Sequence, residues 1–145
     1  AGGSNTHQLT GFHPGVTEIQ VGSYATMDLH NEEFGLDFRQ ALSVMTTVIS
    51  RPRPERAVID AGLKALSVDA GPPGCAAPGI TVRALNEEHG HLALQEPETP
   101  LGPGDRIELI PSHGCTTIPL HDRYVLVRDG VVESIVPIAA RGALT

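Results

Sequence analysis

Hydrophobic and polar residues alternate with period two through much of this chain, and the alternation outlines its elements. In 80–85 (ITVRAL), Ile80, Val82 and Ala84 share one face, and in 91–95 (HLALQ) Leu92 and Leu94 do the same. That is the pattern of strands with one buried side. The intervening NEEHG marks a hairpin tip. Residues 42–50 are rich in Val, Ile and Thr, which favours a strand. Arg51-Pro52-Arg53-Pro54 is expected to break it, because proline lacks an amide donor. RAVIDA at 56–61, KALSVD at 64–69 and DRIELI at 105–110 predict further strands. Asp129-Gly130, between YVLVR and VVESIV, predicts a two-residue hairpin turn, where positive φ is required. Upstream, VTEIQVGSYATMD (16–28) reads as a strand, a turn at Gly22 and a second extended piece. In 34–45 the period changes: Phe34, Phe38, Leu42 and Met45 recur at helical spacing and predict a short helix near 36–42.

The sum is a mostly β fold, an antiparallel barrel or sandwich-like domain of about eight short strands with little helix. The first thirty or so residues differ in kind and are assigned to a neighbouring domain. The 16 glycines, 12 prolines and 3 % aromatics agree with short strands joined by tight turns. At 145 residues the chain can bury one core.

Charge narrows the partners. The formal net charge is −7, and no run of Lys or Arg is interleaved with aromatics, so nucleic acid is not expected. No apolar stretch reaches the roughly 20 residues that span a bilayer, so no membrane partner is expected. Two cysteines, Cys75 and Cys115, allow at most one disulfide, and reduced thiols in the cytoplasm are the expectation. The chain begins at Ala1 without methionine and runs at once into Gly2-Gly3-Ser4, which reads as a piece of something longer.

Three motifs carry candidate chemistry. Gly2-Gly3-Ser4-Asn5-Thr6 could bring backbone amides and hydroxyls to a phosphate, or be a flexible loop. Tyr24 could reach a phosphate oxygen, or simply sit at a strand edge. Pro111-Ser112-His113-Gly114-Cys115 follows a strand. In extended geometry His113 and Cys115 would face the same side and offer nitrogen and sulfur, a donor set that selects zinc over magnesium or calcium. Two ligands fit a metal completed by water and substrate. They equally fit no metal, with a buried thiol beside a hydrogen-bonded imidazole. His89-Gly90-His91 lies at a hairpin tip and reads as a solvated loop. His121-Asp122 reads as a supporting pair or, with Arg123, as a turn. Glu88, His121 and Asp122 are the only donors in view that could complete a small zinc hydrolase. Lys64, the one lysine, reads as exposed.

In order, GGSNT, VTEIQVGSYATMD, ALSVMTTVISRP, RAVIDAGLKALSVD, EEHGHL, GDRIELIPSHGC and LHDRYVLVRDG resemble the D-serine dehydratase and D-threonine aldolase family, over residues 2 to 142. These are pyridoxal-phosphate enzymes related to alanine racemase, with a (β/α)8 barrel followed by a β domain. The resemblance implies that residues 1–30 are the end of the barrel domain and 31–145 the C-terminal β domain. It implies that Gly3, Ser4 and Tyr24 bind the cofactor phosphate and that His113 and Cys115 bind Zn2+ or another divalent metal. The His-x-Cys pair leans toward the dehydratase branch. The family's Schiff-base lysine lies near the start of the barrel, outside these residues, so no catalytic residue is expected here. The expected function is the C-terminal portion of a lyase acting on a small D-3-hydroxy amino acid, inactive without the missing barrel, in a homodimer. The competing expectation is a free-standing β domain that binds a metal or a partner without catalysis.

Overall fold

Long β1 (Val44–Arg53) organises the molecule, because it is hydrogen-bonded along both edges. The computed structural model describes residues 2–143. On one side β1 pairs antiparallel with β2 (Arg56–Ile59), and on the other with β6 (Arg106–Ile110). β3 (Gly74–Cys75) extends the β6 edge. β5 (Gly90–Leu94) joins β2, and β4 (Ile80–Leu85) lies outside β5. The order is β3-β6-β1-β2-β5-β4, and β3 and β4 approach one another, so the sheet curls into a nearly closed barrel. A separate ribbon of β7 (Arg123–Arg128) and β8 (Val131–Pro137) completes eight strands among the described residues.

The barrel interior follows from the alternation. Val48, Ala57, Ile59, Val82, Leu92, Leu94, Ile107 and Leu109 point inward and are buried. Ile80 and Leu66 join them. Each Val, Ile or Leu among them, removed from water, contributes about 1.5–3 kcal/mol. Gly90 is needed where β5 passes this core: a Cβ there would stand 2.8 Å from the Ala61 carbonyl and from the Ile59 side chain. The Asp129-Gly130 turn has φ of 51° and 77°, the paired positive values of the expected hairpin.

Five expectations are corrected. The strand does not stop at Arg51: β1 runs through Pro52, where its register with β2 shifts between Ser50 and Arg53, and proline is tolerated at such an irregularity. Ala84 does not share the inward face of Ile80 and Val82, because a bulge between Val82 and Ala84 turns it outward. Residues 64–69 are a turn and an irregular segment that carries buried Leu66, not a strand. Residues 16–21 are irregular too, since no strand among those described lies alongside to pair with them. No helix forms at 36–42, where the backbone is tied back instead: Ala41 and Leu42 donate to the Thr26 carbonyl. Short helices stand elsewhere, at α1 (His7–Thr10), α2 (Leu29–Glu32) and α3 (Gly114–Thr117).

Candidate functional site

At the end of β6 the chain leaves the barrel through Pro111 and Ser112, both buried, and turns into α3. His113 is the residue before that helix, with extended dihedrals of −143° and 116°. Cys115 lies on the first helical turn. The two are therefore not alternate residues of one strand, as their spacing suggested. They share a neighbourhood for another reason, which is the segment 23–30.

That segment wraps the start of α3. Buried Asp28 caps α2 by accepting from the Asn31 amide at 2.8 Å, and its other oxygen accepts from the Gly114 amide at 2.7 Å. The Leu29 and His30 amides donate to the carbonyls of Pro111 and Ser112. Met27, fully buried, adopts φ of 51° to make the corner. A non-glycine residue in the left-handed region is held there only by its surroundings. Seated in this way, the Ser23 hydroxyl lies 3.9 Å from the Cys115 sulfur, and the His30 ring is 6.2 Å from the His113 ring, centre to centre.

From the other side comes Asp69. Its carboxylate accepts from His113 Nδ1 at 2.7 Å and from the Thr116 and Ser67 hydroxyls at 2.7 and 2.6 Å. These bonds, that of Ser67 first, hold the Asp69 carboxyl well below the usual carboxylate range. The loop that carries it is pinned in turn, since the Ser67 amide donates to Thr117 and the Ser112 hydroxyl donates to the Ser67 carbonyl.

An imidazole and a thiol are donor types that a divalent metal accepts. With Nδ1–H given to Asp69, a neutral His113 keeps its Nε2 lone pair free, which is the carboxylate–histidine arrangement of metal ligands. Cys115 is exposed, and thiolate with imidazole suits zinc. No group of three or more His, Cys, Asp or Glu is placed to hold a metal among the described residues, so His113 and Cys115 could offer at most two protein ligands. The donors that a hydrolase would need are engaged elsewhere. His121 Nε2 contacts the Ala65 carbonyl at 2.8 Å, Asp122 pairs with Arg141 rather than Arg123, and Glu88 pairs with exposed Lys64. His91 is not in a solvated loop as expected but half-buried within β5, where it contacts Arg56 and Asn86.

The N-terminal motif lies beside the same segment. Ser4 is buried, and its hydroxyl oxygen accepts from the Gly22 and Tyr24 amides at 3.3 and 3.2 Å, so it clamps the 22–24 turn to the GGS loop. Gly3 is exposed, and nothing lies within 4 Å of where its Cβ would stand, which leaves its backbone open to a ligand oxygen. Tyr24 is 43 % exposed, with its ring 5.4 Å from that of Phe38. Asn5 Oδ1 is buried without a partner; as an acceptor it calls for a donor such as water rather than for a phosphate oxygen. The Gly3 backbone amide and the Ser4 and Tyr24 hydroxyls are donor types that a phosphate accepts. Asp69, Asp28 and His30 escaped the sequence reading: Asp69 lies 44 positions from its histidine, and Asp28 lies 86 from its glycine.

A family model described as "Putative serine dehydratase domain" matches residues 41–127. D-threonine aldolase of Arthrobacter sp. is 42 % identical over 146 aligned residues, covering 97 % of this chain and 38 % of its own length. The crystal structure of D-threonine aldolase from Filomicrobium marinum superposes with a TM-score of 0.93 at 32 % identity, covering 99 % of this chain and 41 % of that one. D-threo-3-hydroxyaspartate dehydratase from Delftia sp. HT23 gives a TM-score of 0.78 at 30 % identity, over 94 % and 43 %. Variants of a D-threo-3-hydroxyaspartate dehydratase have been solved with a histidine, or a cysteine two positions further on, replaced by alanine, the cysteine variant in the metal-free form. An uncharacterised protein of Mycobacterium tuberculosis is 34 % identical over 114 residues, 70 % of this chain and 84 % of its own length.

Proposed function

This chain belongs to the serine dehydratase domain family, and from that premise we propose that it is the C-terminal portion of a pyridoxal-phosphate- and metal-dependent lyase for D-3-hydroxy amino acids. Residues 1–30 would close the barrel domain and 31–145 form the β domain. The chain spans about 40 % of the length of the aldolases it resembles. The rest of the lyase, with its Schiff-base lysine, would lie outside these residues and act with them in a cytoplasmic homodimer. Lys64, with 69 % of its side chain exposed and paired to Glu88, is no substitute. Alone, the chain would be inactive.

One observation carries the reading most. The Ser23–Cys115 contact spans 92 positions and brings the turn clamped by Ser4 against the histidine-x-cysteine motif. The phosphate and metal candidates thus become neighbours, as a cofactor-bound substrate carrying a 3-hydroxyl requires. The same histidine-x-cysteine spacing recurs in the dehydratase variants above.

Gly3, Ser4 and Tyr24 would hold the cofactor phosphate, and His113 and Cys115 the metal. When bound, the cofactor supplies an electron sink at Cα and the metal a Lewis acid for the 3-hydroxyl. The chain's own residues do the positioning. Asp69 fixes the tautomer and tilt of His113, and Thr116 and Ser67 keep that carboxylate ionised and aimed. Asp28 fixes the turn that presents Cys115. Ser4 holds Tyr24 at the phosphate end.

The test is turnover by the intact protein with pyridoxal phosphate, on D-threonine, D-serine and D-threo-3-hydroxyaspartate, with and without a chelator. Aldehyde reports retro-aldol cleavage and ammonia reports dehydration. Activity abolished by the chelator and by H113A or C115A is expected, and undiminished activity in either case contradicts the reading. Turnover by the isolated chain would contradict its being a portion only.

The Mycobacterium tuberculosis relative, little longer than its match, favours a second reading, a free-standing β domain that binds metal without catalysis. Metal binding without turnover, by a native protein confined to this domain, would establish it.

A further inference from the structure

We propose that the outer face of β2, β5 and β4 is a binding site for a small oxyanion, a phosphate or polycarboxylate. A cleft of about 380 Å³ opens there, and it shares no residue with the candidate metal site. Arg53, Arg56 and Arg83 line it, three of the ten basic residues of a chain whose net charge is −7.

Three features set these arginines apart from scattered surface charge. Arg53 and Arg56 are direct cross-strand partners in the β1–β2 pair. Like charges in that position repel, and a shared anion removes the penalty. None of the three guanidiniums pairs with a carboxylate among the described residues, although Glu55 also lines the cleft. The bulge after Val82 turns both Arg83 and Ala84 outward. Ala84 and Ala93 then form a floor with no bulk above it, and the long side chains stand around that floor.

His91 prepares one arginine. Its Nδ1 lies 3.3 Å from an Arg56 Nη, and its Nε2 lies 3.2 Å from the Asn86 amide. Arginine can only donate, so His91 Nδ1 is the acceptor in that contact. Arg56 is therefore held in place before any ligand arrives, and planar guanidiniums grip carboxylate and phosphate oxygens in pairs.

The test is isothermal titration of the intact protein with pyrophosphate and, separately, malonate, at constant ionic strength set by chloride. Saturable binding of either is expected, and the stronger of the two names the ligand class. R56Q and R83Q, both at exposed positions, should each weaken it about tenfold, and R53Q should do likewise. Absence of saturable binding, or binding unchanged in R56Q and R83Q proteins of native circular dichroism, overturns the proposal.

Discussion

Asp69 Oδ2 accepts from His113 Nδ1 at 2.7 Å, and this contact decides which imidazole nitrogen faces the candidate site. An asparagine at 69 could still touch the ring but would not hold it by charge. D69N should therefore weaken zinc binding by about 10- to 100-fold. Asp69 is exposed, so D69N should lower the melting temperature near neutral pH only modestly. Competition with a chromogenic zinc chelator measures the affinity, and an unchanged value would remove Asp69 from the metal site.

The depressed Asp69 carboxyl has a pH signature. A group whose folded value lies below its unfolded one stabilises the fold above the unfolded value, near ~3.9 for aspartate. That contribution disappears as the pH falls through the lower folded value. The melting-temperature difference between the protein and D69N should be constant from neutral pH down to about pH 5 and shrink below about pH 4. Scanning calorimetry across that range checks it, and a difference that grows on acidification would contradict it.

Asp28 has the opposite character, being fully buried with three donors converging on it. D28A removes the cap of α2 and leaves the Gly114 amide unpaired. Together these should cost about 2–4 kcal/mol. Urea unfolding reads the loss, and D28N, which keeps an acceptor, should lose less. A loss under about 0.5 kcal/mol in D28A would mean that solvent replaces these bonds.

How much of this was legible beforehand depended on range. β2, β4, β5, β6 and the Asp129-Gly130 ribbon stood out because alternation and turn chemistry are local. Ala84 misled because a single bulged residue reverses a face, and Pro52 because a long strand can absorb a proline where its ladder is already irregular. His113 and Cys115 were legible as residue types, but the strand geometry expected to align them gives way to the start of a helix. Their partners are Ser23 and Asp69, and Asp28 holds the Gly114 amide between them, at separations of 44 to 92 positions that leave no periodic trace.

The two thiols should differ in reactivity. Cys75 is half-buried on β3, and burial pushes its thiol up, which suppresses the thiolate. Cys115 is exposed. Ellman's reagent should label Cys115 first, and zinc should protect it. C115S should leave only a slow phase, and equal rates at both thiols would contradict this assignment.

Cobalt titration, followed by optical absorption, asks whether the imidazole of His113 and the sulfur of Cys115 grip one cation. A thiolate-to-cobalt charge-transfer band saturating at one ion per chain, absent in C115S and weakened in H113A, is the expected result. No such band, or one indifferent to both substitutions, would contradict it.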